Sequence, residues 1–267
     1  PMSICKERPV KTALCTIAFR ERTFEEVLDL ACGAGFDGVE PWGKPDHIQS
    51  DWDAESVERS ADEIKKRGLK VSQYGSYANP TSAKFHDEMV DAIEIAEGFE
   101  TDKIRIWAGT CGSAKASEDE WSKAIARLKE FADRAAANGM TLVLEMHVGY
   151  LTDTVQGNLR LLEGVDRSNL RLNYQPLYTD SWESVLDGLG QIATFVSTVH
   201  AQNYVDVGSN ERSLVSEGFV DYRTVVQVLR KAGFDGYLEV EFVREDDPEA
   251  ALLADSKFLR LLCAIKQ

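Results

Sequence analysis

The chain has 267 residues, 43% of them hydrophobic and 28% charged, which is enough apolar material for a large core and enough charge to stay dissolved. That balance excludes a disordered chain, a collagen-like chain and a disulfide-stapled miniprotein. Thirty Lys and Arg against 45 Asp and Glu leave a formal net charge of −15, which repels phosphate backbones and anionic membrane surfaces unless a basic patch offsets it. The densest basic run, Lys65-Lys66-Arg67, sits at a predicted helix end, where cations suit the helix dipole. The expectation is therefore no nucleic acid and no membrane. Small polar molecules and metal ions remain as partners, and a homo-oligomer stays open.

Five cysteines (Cys5, Cys15, Cys32, Cys111, Cys263) are scattered, and none stands in a CxxC pair; they are expected to be reduced. No apolar run reaches the length of a membrane span, and the opening PMSICKERPV carries no signal-peptide core, so the expected location is cytoplasmic.

Along the chain, the predicted strands fall at Lys11–Ala18, Gly38–Glu40, Lys70–Tyr74, Lys103–Trp107, Thr141–Met146, Leu170–Tyr174, Thr198–Gln202 and Tyr237–Glu241. Helical patterns lie between them. Thr23-Phe24-Glu25-Glu26 reads as a capping box opening the first helix. The others span Ala54–Arg67, Ala83–Glu97, Glu118–Ala137, Asp153–Leu162, Ser181–Leu189, Tyr222–Ala232 and Pro248–Ile265. Gly35, Gly68, Gly139 and Gly233 each follow a helix and precede a short β-rich run, the signature of a left-handed helix stop feeding a βαβ unit. Ala-Gly-Phe-Asp-Gly occurs twice, at 34–38 and 232–236. Eight strands alternating with eight helices, at about 33 residues per unit, predict a single (β/α)8 TIM barrel over 1–267. The rival open doubly wound sheet usually carries a Gly-rich turn after its first strand; here that turn reads Ala18-Phe19-Arg20-Glu21-Arg22.

Strand residues alternate faces, so Glu145 and His147 share one, as do Asn173 and Gln175, His200 and Gln202, and Glu239 and Glu241. Each of these four strands begins apolar and turns polar at its C-terminal end, the end at which barrel enzymes work. Glu145 and Glu241 have strongly apolar neighbours and would be costly to bury unless paired or metal-bound. His200, between Val199 and Ala201, reads as a ligand or as a satisfied core histidine. His147 reads as ligand, base or loop residue. His47 lies in the loop after the second strand, where it could meet substrate or be idle. Trp42, Trp107 and Tyr74 follow strand ends and suit either a sugar-pocket wall or the core.

From Glu25-Glu26-Val27-Leu28, through Gly35-Phe36-Asp37-Gly38-Val39-Glu40, to Gly233-Phe234-Asp235-Gly236-Tyr237-Leu238-Glu239-Val240-Glu241, the chain resembles the xylose isomerase-like TIM-barrel superfamily. That group includes sugar isomerases and epimerases and the family 2 apurinic endonucleases. The resemblance implies one divalent metal ion (Mn, Mg, Co or Zn) held by Glu145, Gln175, His200 and Glu241. Relatives with an HxQ pattern would use Gln202 in place of His200. Where relatives read N-x-D-P, this chain has Asn173-Tyr174-Gln175-Pro176, with an amide in place of the carboxylate. The implied activity is sugar isomerisation or epimerisation by proton abstraction beside a carbonyl. Glu145 and Glu241 would carry protons and His147 would assist, while His47, Trp107, Gln202 and Glu239 would contact a small polar substrate. The alternatives are a metal-dependent lyase acting on a keto-sugar or keto acid, in the manner of a 3-dehydroshikimate dehydratase, or a non-catalytic sugar-binding relative. A phosphate would need a basic turn near the last two strands; only Arg212 and Arg244 are placed for it, so the expected substrate is unphosphorylated.

Overall fold

The computed structural model describes residues 10–265; Cys5 lies outside them. Eight α-helices alternate with the strands of a parallel barrel. The strands are β1 (Lys11–Cys15), β2 (Gly38–Glu40), β3 (Lys70–Val71), β4 (Tyr74–Gly75), β5 (Lys103–Ile106), β6 (Thr141–Glu145), β7 (Leu170–Tyr174), β8 (Val196–Ala201) and β11 (Tyr237–Val240). They hydrogen-bond in the order β3-β2-β1-β11-β8-β7-β6-β5-β4. β3 and β4 are two halves of one stave interrupted at Ser72-Gln73. The first half pairs with β2 and the second with β5, which brings the two edges of the sheet together. The helices are α1 (Phe24–Ala34), α2 (Ala54–Lys66), α3 (Phe85–Gly98), α4 (Glu118–Ala137), α5 (Val155–Val165), α6 (Trp182–Ile192), α7 (Tyr222–Lys231) and α8 (Pro248–Ala264).

Helix starts are set by local chemistry. Thr23 and Glu26 cap each other's backbone N–H, as expected, and Ser117 with Glu120 repeats the device on α4. The first glycine of each Ala-Gly-Phe-Asp-Gly copy, Gly35 and Gly233, takes positive φ of 78° and 85°. The second glycine has a different job. A Cβ on Gly38 would stand 2.6 Å from the Lys70 carbonyl oxygen, and one on Gly236 would stand 2.0 Å from that of Ser197. The pentapeptide therefore ends a helix and then starts a strand pressed against its neighbour's backbone.

Besides the split of the predicted Lys70–Tyr74 strand, two details differ from the sequence expectation. The first strand stops at Cys15, and Thr16–Phe19 wind into a 3-10 turn. After β8 a short antiparallel hairpin, β9 (Asn203–Tyr204) with β10 (Arg212–Ser213), folds at the barrel mouth. No helix of the described residues is long and apolar enough to cross a membrane.

Candidate active site

The barrel interior is apolar low down and ionised near the C-terminal strand ends. Four acidic side chains, Glu40, Glu145, Glu239 and Glu241, are buried there around His200, which has no exposed surface. His200 Nε2 lies 2.7 Å from Glu40 Oε2, which fixes that nitrogen as the protonated one in the neutral ring. Nδ1 then points its lone pair the other way, 3.3 Å from Glu241 Oε1 and 3.7 Å from Glu145 Oε1. Neither His200 Nδ1 nor Glu241 Oε2 has a hydrogen-bond partner among the described residues. Ligand atoms of Glu145, His200 and Glu241 all fall within 4.8 Å of one another.

The charge balance explains the arrangement. Burial works against the Glu40 carboxylate, but the Arg105 guanidinium and His200 outweigh it and hold its pKa well below the usual range. Burial likewise opposes ionisation of Glu145, and Arg105 again prevails, helped by His200. Arg105, itself buried, donates Nε to Glu40 Oε1 at 2.6 Å and Nη1 to Glu145 Oε2. Glu239 goes the other way: burial and the neighbouring Glu40 charge push its pKa well up. The Gln73 amide donates to both Glu40 and Glu239, at 3.0 and 2.8 Å. Burial disfavours a charged His200, but Glu241 and Glu40 overcome it and raise its pKa well above the ordinary imidazole value. A positive charge is therefore favoured between Glu145 and Glu241. A proton on Nδ1 supplies one such charge, and a divalent cation in its place fits the donor set of two carboxylate oxygens and a neutral imidazole nitrogen. The His200–Glu40 bond is the carboxylate–histidine arrangement that orients a metal-binding imidazole.

Gln175 and Gln202 stand beside this cluster. Gln175 Nε2 donates to the Met146 carbonyl and lies 3.5 Å from Glu145 Oε1. Gln202 Nε2 donates to Gln175 Oε1 at 2.6 Å, and its own Oε1 accepts from Arg212 Nη1. His147 sits above the cluster, half-buried, with Nδ1 held by the Val148 carbonyl at 2.8 Å and Nε2 left as an acceptor. Its ring packs on Trp107 (centroids 4.9 Å apart) and Tyr150 (5.4 Å). Trp107 stacks on Tyr77 at 5.4 Å, and its buried Nε1 has no hydrogen-bond partner among the described residues. Lys44 Nζ lies 3.8 Å over the Tyr77 ring.

Of the residues expected from sequence, the structure thus brings together Glu145, Gln175, His200, Gln202, Glu239 and Glu241, with His147 and Trp107 in an adjoining aromatic wall. His47 stands outside the cluster. Its two ring nitrogens are taken by Thr16 Oγ1 at 2.8 Å and the Arg22 carbonyl at 3.2 Å, so it braces the loop after β2 against that after β1 and has no nitrogen free for a substrate. Tyr77, and not Tyr74, joins the wall; Tyr74 packs inward on Phe99. Sequence reasoning missed Glu40, Gln73 and Arg105. Glu40 and Arg105 carry the signal that exposed Glu145: a charge flanked by apolar strand residues.

Residues 28–262 match the model of the xylose isomerase-like TIM barrel family, and the chain belongs to it. Its members are enzymes, dehydratases and epimerases among them. A 3-dehydroshikimate dehydratase of Bacillus anthracis is 29% identical over 257 residues, covering 86% of this chain and 90% of that protein. An inosose dehydratase of Geobacillus thermodenitrificans is 24% identical over 307 residues, covering 97% and 99%. The crystal structure of a probable 3-DHS dehydratase from Bacillus anthracis superposes with a TM-score of 0.79 at 26% identity, covering 94% of this chain and 99% of that one.

Proposed function

We propose that the protein is a metal-dependent dehydratase that removes water from a small hydroxy-ketone or hydroxy-keto acid. The observation that carries this reading is the buried Glu145–His200–Glu241 cluster with the free His147 Nε2 beside it. Glu145, His200 and Glu241 would hold the ion, with the Gln175 amide beside them. When bound, a divalent ion supplies Lewis-acid polarisation of the substrate carbonyl, which acidifies the neighbouring C–H. His147 Nε2 takes that proton, and the C–H electron pair becomes the new C=C bond as the β C–O bond breaks. The imidazolium then returns the proton to the departing hydroxyl, and water leaves. Trp107, Tyr77 and Tyr150 present ring faces suited to a flat, unsaturated product.

Elimination is favoured over the isomerisation expected from sequence for a physical reason. Proton exchange between two faces of a carbon needs a separate acid–base group poised on each face. Glu145 is fastened by Arg105, and both Glu145 and Glu241 converge on His200 Nδ1. The two sequence relatives described above, matched over 86% and 97% of the chain, are dehydratases, which supports the same choice. The unpartnered Glu241 Oε2 favours epimerisation as a second reading.

The test is product analysis. The Mn2+-loaded protein is incubated with 3-dehydroshikimate, an inosose and free ketohexoses. The expected result is ultraviolet absorbance from a conjugated product with one of the first two, abolished by EDTA. His147→Ala should lower kcat by roughly 10²–10⁴-fold, the range for a lost general base. Sugar epimers formed without loss of water would overturn the proposal.

A further inference from the structure

Lys44, in the loop after β2, is a half-buried cation whose ammonium rests on a ring. Its Nζ lies 3.8 Å over Tyr77, and among the described residues no carboxylate comes within ion-pair distance of it. Lys65, Lys66 and Lys103, by contrast, each rest on a carboxylate. The chain around Lys44 is fixed. The Gly43 N–H donates to the Gly75 carbonyl at 3.0 Å, and a Cβ at 43 would lie 2.8 Å from that oxygen. The Lys44 carbonyl accepts from the His47 and Ile48 N–H groups at 2.9 and 2.7 Å, and the His47 ring ties this turn to Thr16 and Arg22. Trp42 Nε1 in turn donates to Tyr77 Oη at 2.7 Å. The ring under the ammonium belongs to the wall that runs through Trp107 to His147. Arg105, which holds Glu145, lies 5.7 Å from the centroid of that same ring.

We propose that Lys44 is a specificity-determining residue that binds the carboxylate of an anionic substrate, which makes that substrate a hydroxy-keto acid and not a neutral hydroxy-ketone. The inference rests on the dehydratase reading of the neighbouring cluster. A small anion approaching buried carboxylates in a molecule of net charge −15 is repelled unless a cation receives it. A neutral substrate needs no such group. An ammonium has three N–H donors, and the face of one ring cannot use them all, so donors remain for a carboxylate. His147 at one end of the wall and Lys44 at the other would then tell the two ends of the substrate apart, one taking a proton and the other holding a charge. The bracing of the loop by His47 keeps the ammonium in place before substrate arrives.

The experiment is calorimetric titration of the Mn2+-loaded full-length protein with two probes. One is 3,4-dihydroxybenzoate, the flat anion left when 3-dehydroshikimate loses water; the other is 3,4-dihydroxybenzamide, its uncharged isostere. The parent should bind the acid about tenfold more tightly than the amide, the low end for a hydrogen bond to a charged group. Lys44→Met should erase that preference by weakening the acid alone, and Lys44→Arg should keep it. In turnover of 3-dehydroshikimate, Lys44→Met should raise KM about tenfold with kcat within about twofold, the mark of binding that substrate and transition state share. A preference that survives Lys44→Met, an equal loss for both probes, or no binding of the acid by the parent would overturn the inference. The reading beneath it fails differently. If the preference follows Lys44 while no substrate loses water, the anion subsite stands and the dehydratase assignment falls.

Discussion

Arg105 is the residue on which the ionised interior turns. It leaves β5 between Ile104 and Ile106, and one planar group reaches two buried carboxylates on different strands, Glu40 and Glu145. Gly75 makes room for it: a Cβ there would lie 2.5 Å from Glu40 Oε1 and 2.7 Å from Arg105 Nη2. Removing one partner of a buried ion pair strands the other charge, so Arg105→Met should destabilise the fold by about 3–5 kcal/mol, read as a lower urea midpoint. Arg105→Lys should recover little, because a single ammonium cannot fork to two carboxylates. Wild-type stability in either variant would show that the carboxylates are neutralised some other way. The metal-ligand candidates were legible in sequence because acidic residues at apolar strand ends are hard to explain otherwise. Arg105 and Glu40 carry the same signal, but singly, on staves outside the four whose paired polar residues make the pattern stand out. The orientation of the Gln175 amide was not legible, since it depends on a hairpin residue ten positions beyond Gln202.

At the scale of elements, the alternation of strand and helix was plain because four helix-stopping glycines each precede a strand, and Gly38–Glu40, Leu170–Tyr174 and Glu118–Ala137 lie where expected. The split of the third stave and the β9–β10 hairpin had no periodic signature; two-residue strands are too short to show one. The hairpin region is held from behind by α8, where the buried Asp255 accepts from the Val215 N–H at 2.8 Å with Oδ1, while Oδ2 has no hydrogen-bond partner among the described residues. Burial pushes the Asp255 pKa up to about 7, only partly offset by that hydrogen bond and by Arg244. In the unfolded chain the group ionises near 4, so between about pH 4 and 7 the folded state holds the extra proton. Stability should therefore fall as pH rises through that window and level off above it. Asp255→Asn removes the titration, and at pH 8 it should be more stable than the parent by on the order of 3 kcal/mol, with the gap closing towards pH 4. A gap independent of pH, measured by urea unfolding, would place the effect elsewhere.

At the scale of the whole molecule, the proposed ligands come from β6, from β8 and from the segment after β11, within four neighbouring staves of the barrel. A cation there would tie together strands that the unfolded chain holds far apart in sequence, so its binding free energy would add to that of folding. The cluster also gathers negative charge in a molecule already at −15, which Arg105 offsets in part and a cation would offset further. Mn2+ at a hundred times its dissociation constant should stabilise the fold by about 2.7 kcal/mol. For a chain of this size that corresponds to a rise in Tm of roughly 5–10 °C. The rise should vanish in Glu241→Gln, which keeps the shape of the site and removes a charged donor, and it should be reversed by EDTA. A rise of equal size in Glu241→Gln, followed by differential scanning calorimetry, would mean that the ion binds among the exposed acidic residues of the surface and not at the barrel mouth.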